Sequence, residues 1–263
     1  MNELIPSQQS GFHRNYSTET LLLRILSDFY SAVDCGQVTL LALFDVSSAF
    51  DCVDHSILLQ RLSTSFGLVD QPLEWLRSFL TDRSNCVVLG SSRSLWVPAP
   101  LGVPQGSVLG PLLYLLYTAD VCSLLTSQGL LHQLFADDVQ AYIHTHSADA
   151  VATVSQMCLT MDVLSSWMAS NRLLLNPSKT QLIWLGSRRQ LQGIDFPQLT
   201  LLFPHITFSL TVRDLGLSLD SELTLSQHVN SIARSCYYQL RQLRVVSRSL
   251  LRCGRGPCSR LCY

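Results

Sequence analysis

Apolar positions along the chain fall into two kinds of run. Residues 39–46, TLLALFDV, are almost continuously apolar and end on Asp45, which predicts a strand buried on both faces with a carboxylate at its C-terminal end. In the stretch that follows, SSAFDCVDHSILLQRL, Phe50, Val53, Ile57, Leu58 and Leu62 recur at helical spacing and predict an amphipathic helix. A second short helix is expected over QPLEWLRSFL, with Pro72 near its first turn. Residues 85–90 and 94–98 read as a hairpin turning through 90–93. LGVPQGS reads as a loop, and the apolar residues after it as a buried helix. Residues 131–136 and 139–144 are two short apolar runs on either side of Asp137 and Asp138, which predicts a hairpin with both aspartates at its tip. Helical periodicity returns over 148–170, and 179–186 is a further strand. Short strands and turns are expected over 190–220, and a basic helix over 225–251. This order predicts a mixed α+β domain, a sheet with helices packed behind it.

Composition narrows the class. Of 263 residues, 47% are hydrophobic, enough for a substantial core, and neither low complexity nor a repeat is visible. The first residues lack the charged start and apolar run of a signal peptide. The longest apolar stretch, 108–119, is interrupted by Pro111, closed by Asp120, and short of the ~20 residues of a membrane span. The expectation is a soluble, intracellular chain without a membrane partner. The nine cysteines are mostly scattered, which argues against a disulfide framework. Cys253, Cys258 and Cys262 cluster, but three thiols at irregular spacing with no nearby histidine are a poor zinc site.

The net charge of −1 conceals an uneven distribution. Residues 1–150 carry 14 acids against 6 bases, residues 151–263 carry 5 against 12, and seven arginines and no acid follow Glu222. A cation site beside a polyanion-binding surface suits such a split. Two adjacent aspartates within apolar strands repel each other, and divalent cations offset that repulsion. Three carboxylates can hold a pair of cations that clamp the attacking and leaving oxygens of a phosphoryl displacement. Mg²⁺ prefers such hard oxygen ligands. An isolated aspartate pair is more simply an exposed turn. A receiver-type phosphotransfer domain also uses an acidic pair, a lone Asp and a Lys, but places the pair first, in a regular β/α alternation that this sequence lacks. Asp51, Asp54 and His55 would share a helix face at i, i+3, i+4 spacing, and a polar helix surface is the simpler reading of them.

Several stretches, taken together, resemble the reverse transcriptases of non-LTR (LINE-type) retrotransposons. LFDVSSAFDCVDHSILLQRL resembles the first palm motif of that family, GVPQGSVLGPLLYLLYTAD the second, and LFADD the polymerase box. LNPSKTQLIWLG resembles the next motif, Leu-Asn-x-x-Lys-Thr-Glu, and DLGLSLDSELTLSQHVNSIARS the entry to the thumb. GFHRNYSTETLLLRILSDF matches the segment ahead of the first motif. Several motifs in the right order are far more specific than one short match. The resemblance implies a right-hand polymerase palm with incomplete fingers and a partial helical thumb. Residues 1–186 would be fingers remnant and palm, and 187–263 the palm–thumb connection and a partial basic thumb. It implies RNA-directed DNA polymerisation, with an RNA template, a DNA primer and deoxynucleoside triphosphates as partners, no obligate protein partner, and two Mg²⁺ ions, replaceable by Mn²⁺.

The resemblance also assigns roles. Asp45, Asp137 and Asp138 would hold metal, with help from the Val46 carbonyl. Lys179, the only lysine, would protonate the leaving pyrophosphate. Phe50 would be an aromatic gate against the 2′-hydroxyl; a core position on the predicted helix is the plainer alternative. Gln105 would touch nucleotide or template, and Gly102 and Gly106 would allow close backbone approach. The sequence departs from the family in four ways. A basic fingers segment is not among its residues, Gln181 replaces the usual Glu, and no endonuclease or ribonuclease H region is recognisable. Residues after LRQLRVVSRSL also lose the resemblance. These departures suggest a piece of a retrotransposon reading frame, by itself a poor or inactive polymerase that still binds nucleic acid; a non-catalytic relic that only binds nucleic acid is the alternative reading.

Overall fold

The computed structural model describes residues 4–176 and 179–250, with side-chain surroundings given through residue 246. In chain order the elements are α1 Thr18–Asp34, β1 Val38–Phe44, β2 Val46–Ser47, α2 His55–Thr64 and α3 Asp70–Leu80. Four two-residue strands follow, β3 Ser84–Asn85, β4 Val88–Leu89, β5 Ser92–Arg93 and β6 Val97–Pro98. Next are α4 Leu109–Tyr117, α5 Asp120–Ser127, β7 Leu131–Phe135, β8 Asp138–Thr145, α6 Ala150–Ser170, β9 Leu174–Leu175 and β10 Gln181–Leu185. The last are α7 Arg188–Leu191, α8 Phe196–Leu202, β11 Thr211–Asp214, β12 Leu217–Asp220 and α9 Ser226–Leu250.

The central sheet has the order β10-β1-β8-β7, and every pairing in it is antiparallel. β1 is apolar throughout because both of its faces are covered. Leu40, Ala42 and Phe44 join a core with α2, α4, α5 and α6. Leu41 faces the other way, into a second core built from Leu21, Ile25 and Phe29 of α1 and from Val212 and Leu219 of β11 and β12. α1 offers that face at i, i+4 and i+8, and its start is fixed by reciprocal Ser17–Thr20 capping bonds. Truncating the fully buried Leu41 to alanine would cost about 2–5 kcal/mol.

Most expected elements are present, with four differences. The helix expected from SSAFDCVD onward starts only at His55. Asp54 caps it, accepting from the amides of Ser56 (2.9 Å) and Ile57 (3.1 Å), while Ser48 turns the chain with φ 48°. Phe50 therefore lies in a turn, not on a helix. The hairpin over 85–98 forms as two short pairs, β3–β6 and β4–β5, with exposed side chains including Leu89 and Trp96. Two short helices, α7 and α8, occupy part of 190–220; Ser187 and Asp195 cap them. Finally, α4 and α5 together carry the apolar run through Leu109–Ser127, long and apolar enough by composition to cross a membrane. The expected break at Asp120 falls where helix α5 begins. Half of that window is buried, and Leu113, Tyr114, Leu115, Val121 and Leu125 belong to the first core.

Candidate active site

Strand register brings the acids to one end of the sheet. Phe44 pairs with Val139 and Phe135 with Asp138, so Asp45, one residue past β1, continues toward Asp138. Ala136 and Asp137 make the two-residue turn between β7 and β8, Ala136 with φ 57°. Asp45 is held from behind, where its carbonyl accepts from the amide of Asn176 (2.8 Å) and Val46 pairs with Leu175.

The site's electrostatics are those of crowded carboxylates. Burial, reinforced by the charge of Asp45, raises the pKa of Asp137 above the ordinary carboxylate value. Asp138 is pushed up to about 6 by burial, then by Asp137 and Asp45, with Lys179 opposing. Asp138 is nonetheless an exposed residue, so solvent screens much of this effect. Lys179 supplies the local positive charge: its Nζ lies 3.3 Å from Asp45 Oδ2 and 3.5 Å from Oδ1.

A cavity of about 280 Å³ opens beside Asp45, Asp138 and Lys179, and Gln140, Arg213 and Asp214 line it too. Asp214 escaped the sequence reading. It is 4% exposed, accepts from Gln140 Nε2 at 2.6 Å, and leaves Oδ2 without a partner. Burial pushes it up to about 6 against the Gln140 hydrogen bond, with Asp138 adding to the rise. The one signal in the sequence was an acid within the short strand TVRD.

Phe50 is half-buried, its ring 4.6 Å from that of Tyr114 and 6.5 Å from Phe12. Burial, then the charges of Asp137 and Asp138, hold the Tyr114 phenol far above its usual range. Tyr114 thus touches the Phe50 ring and also feels the charge of the aspartate pair. Gln105 is exposed and its Nε2 donates to Asp51 Oδ1 (3.1 Å). Both line a cavity of about 770 Å³ with Arg83. Gly102 has φ 82°, and a Cβ there would meet the Asp51 carbonyl at 2.9 Å; its close approach is to the chain's own backbone. Gly106 has φ 79° with open space around it.

Asp51, Asp54 and His55 have structural partners. Asp54 caps α2 and pairs with Arg172 (2.9 Å), and His55 Nε2 meets the Gly102 carbonyl (2.8 Å). Cys253, Cys258 and Cys262 lie outside the described residues. Among the described residues, no three His, Cys, Asp or Glu side chains are gathered closely enough to enclose an ion. In kind, however, Asp45, Asp137 and Asp138 fit a hard divalent cation, since all are oxygen donors whose mutual repulsion such a charge relieves.

An antiparallel sheet with Asp45 just past β1, Asp137 in the β7–β8 turn, Asp138 opening β8 rather than sharing the turn as the sequence suggested, and helices on its faces has the layout of the palm of a right-hand polymerase. Solved structures agree. The apo telomerase of Candida tropicalis, truncated from its C-terminal domain, superposes with a TM-score of 0.57 at 16% identity, covering 83% of this chain and 40% of that one. The telomerase of Candida albicans, in complex with a TWJ fragment of telomeric RNA, gives 0.57 at 15% identity over 82% and 35%. The sequence carries the assignment further: residues 1–217 match the model of the reverse transcriptase (RNA-dependent DNA polymerase) family, and the chain belongs to that family. Its relatives include the probable RNA-directed DNA polymerase from transposon BS of Drosophila melanogaster, 29% identical over 92% of this chain and 26% of the relative. The RNA-directed DNA polymerase from mobile element jockey of the same fly is 27% identical over 89% and 25%. The chain spans about a quarter of the length of these curated relatives.

Proposed function

We propose that this chain is the part of a non-LTR retrotransposon protein in which DNA is polymerised on an RNA template. The observation that carries this is the strand register, which brings Asp45, just past β1, to the β7–β8 turn with Asp137 and Asp138, from strands far apart in sequence. Asp45, Asp137 and Asp138 would hold two Mg²⁺ ions, or Mn²⁺, with the Val46 carbonyl adjoining. Such ions polarise phosphoryl oxygens and clamp the entering and leaving groups. Lys179, in an ion pair with Asp45, would neutralise charge growing on the leaving pyrophosphate and give it a proton from Nζ. Phe50 offers its ring as the floor under a deoxyribose, backed by Tyr114. Gln105 lines the cavity of about 770 Å³ beside Asp51, and template or nucleotide would pass there, with Gly106 following it in the chain. In this reading residues 1–186 form the fingers segment and palm, and 187–263 the connection and thumb segment. α9, with Arg234 and Arg241 and the exposed Tyr237 and Tyr238, tracks the phosphates of an RNA–DNA hybrid.

Primer extension by the purified chain on an RNA template with Mg²⁺ tests the reading. Asp137→Asn should remove incorporation, by at least about a hundredfold for a group that stabilises transition-state charge, while leaving the circular dichroism spectrum unchanged. Incorporation that survives Asp137→Asn refutes it. Hybrid binding with no incorporation, persisting when the fingers segment of a related full-length enzyme is joined to the chain, would favour the non-catalytic alternative.

A further inference from the structure

We propose that Gln9 is a positioning residue, which holds both backbone groups of Ala136 and so sets the turn that presents Asp137. Gln9 is 4% exposed, although its chain segment lacks regular structure. Its Oε1 accepts from the Ala136 amide (3.0 Å) and from the Gly11 amide (2.7 Å), and its Nε2 donates to the Ala136 carbonyl (3.2 Å). Residues 8–10 run along the edge of β7: Ser10 donates to the Leu134 carbonyl (2.8 Å) and Leu134 to the Gln8 carbonyl (2.9 Å).

The turn needs such a hold. Ala136 has a left-handed φ of 57°, which glycine adopts freely and alanine does not. Asp137 and Asp138 follow directly, and their repulsion acts on the same turn. A side-chain amide supplies an acceptor and a donor in one plane, matching the N–H and C=O of a single residue. Gly11 completes the fit, since a Cβ there would lie 2.2 Å from the Ala136 nitrogen and 2.9 Å from its Cα, both backbone atoms that cannot swing aside.

The proposal rests on the reading that Asp137 serves the reaction, and its test separates the two. Backbone amide exchange and Mn²⁺ binding are measured on the full chain and on Gln9→Ala, Gln9→Glu and Gly11→Ala. Losing a hydrogen bond shifts a local opening roughly three- to tenfold. Gln9→Ala should therefore speed exchange at Ala136 by about that factor, with the β1 and β10 amides unchanged, and should weaken Mn²⁺ binding. Gln9→Glu keeps the side-chain volume but sets a second acceptor oxygen against the Ala136 carbonyl, so it too should speed Ala136 exchange, which a role in packing alone would not predict. Gly11→Ala should displace the turn from the other side and weaken Mn²⁺ binding with Gln9 intact, so the proposal is testable even if Gln9→Ala fails to fold. Unchanged Ala136 exchange in a folded Gln9→Ala overturns the proposal, as does unchanged Mn²⁺ affinity in both Gln9→Ala and Gly11→Ala where Asp137→Asn lowers it. If Asp137→Asn also leaves Mn²⁺ affinity untouched, the carboxylate reading fails, and the exchange at Ala136 alone then decides whether Gln9 sets the turn.

Discussion

Asp214 is a buried carboxyl whose ionised form the fold disfavours, and replacing it should change how stability depends on pH. Its Oδ1 has one donor, Gln140; its Oδ2 has none, and Asp138 adds like charge. With its pKa raised from 3.8 to about 6, the folded protein binds a proton that the unfolded chain has already released across that interval. Folding stability contributed by this group is thus greatest below about pH 4 and is lost as pH rises through 6. At 1.36 kcal/mol per pH unit the loss is about 3 kcal/mol. In Asp214→Asn the group no longer titrates, and its Oδ1 can still accept from Gln140. Urea unfolding at pH 4, 5, 6 and 7.5 should show the variant gaining on the wild type as pH rises, by about 3 kcal/mol at the upper end. Parallel stability curves for the two proteins would refute this account of Asp214.

Phe50→Ala should let ribonucleotides compete in primer extension; unchanged discrimination would leave Phe50 as a packing residue on Tyr114. Arg61→Ala should destabilise the fold by about 1.5–3 kcal/mol in urea titration. Arg61 donates to the Tyr117 carbonyl and to Asn171 Oδ1 (2.8 Å), pairs with Asp120 (3.2 Å) and lies over the rings of Tyr117 and Trp167, so its loss leaves acceptors unpaired. Arg234→Ala with Arg241→Ala should lower the slope of log affinity for an RNA–DNA hybrid against log salt by about 1–2, since each lost phosphate contact removes roughly 0.7–0.9. An unchanged slope would take α9 off the nucleic acid.

The parts of the fold that could be read from sequence are those where burial leaves a local pattern. β1 is covered on both sides, so its apolar run is unbroken. The turn between β7 and β8 was visible because Asp137 and Asp138 interrupt apolar runs on either side. Helix onset was misread because Phe50 and Val53 match helical spacing by coincidence, while the residue that ends the turn, Asp54, acts through capping bonds rather than periodicity. The polar parts of the site were the least legible. Gln140 sits in a strand where a polar residue suggests an open face, yet it points at Asp214, 74 residues away. Gln9 reaches Ala136 across 127 residues. Contacts at such separations set no interval along the chain, so only the folded sheet reveals them.

That distribution of information has a physical consequence. The cores on the two faces of the sheet are apolar and locally encoded, and they supply the stability. At one end the same sheet gathers Asp45, Asp137 and Asp138, with Asp214 behind them, and two of these are raised to about 6 by their surroundings. The buried carboxylate of Asp214 is held against its own preference and weakens the fold when ionised, while Asp138 is exposed and screened. The long-range polar contacts are what keep this arrangement fixed despite its cost. Lys179 offsets Asp45, Gln140 satisfies one oxygen of Asp214, and Gln9 holds the turn ahead of Asp137. The residues hardest to read from sequence are therefore those that let the easily read carboxylates coexist.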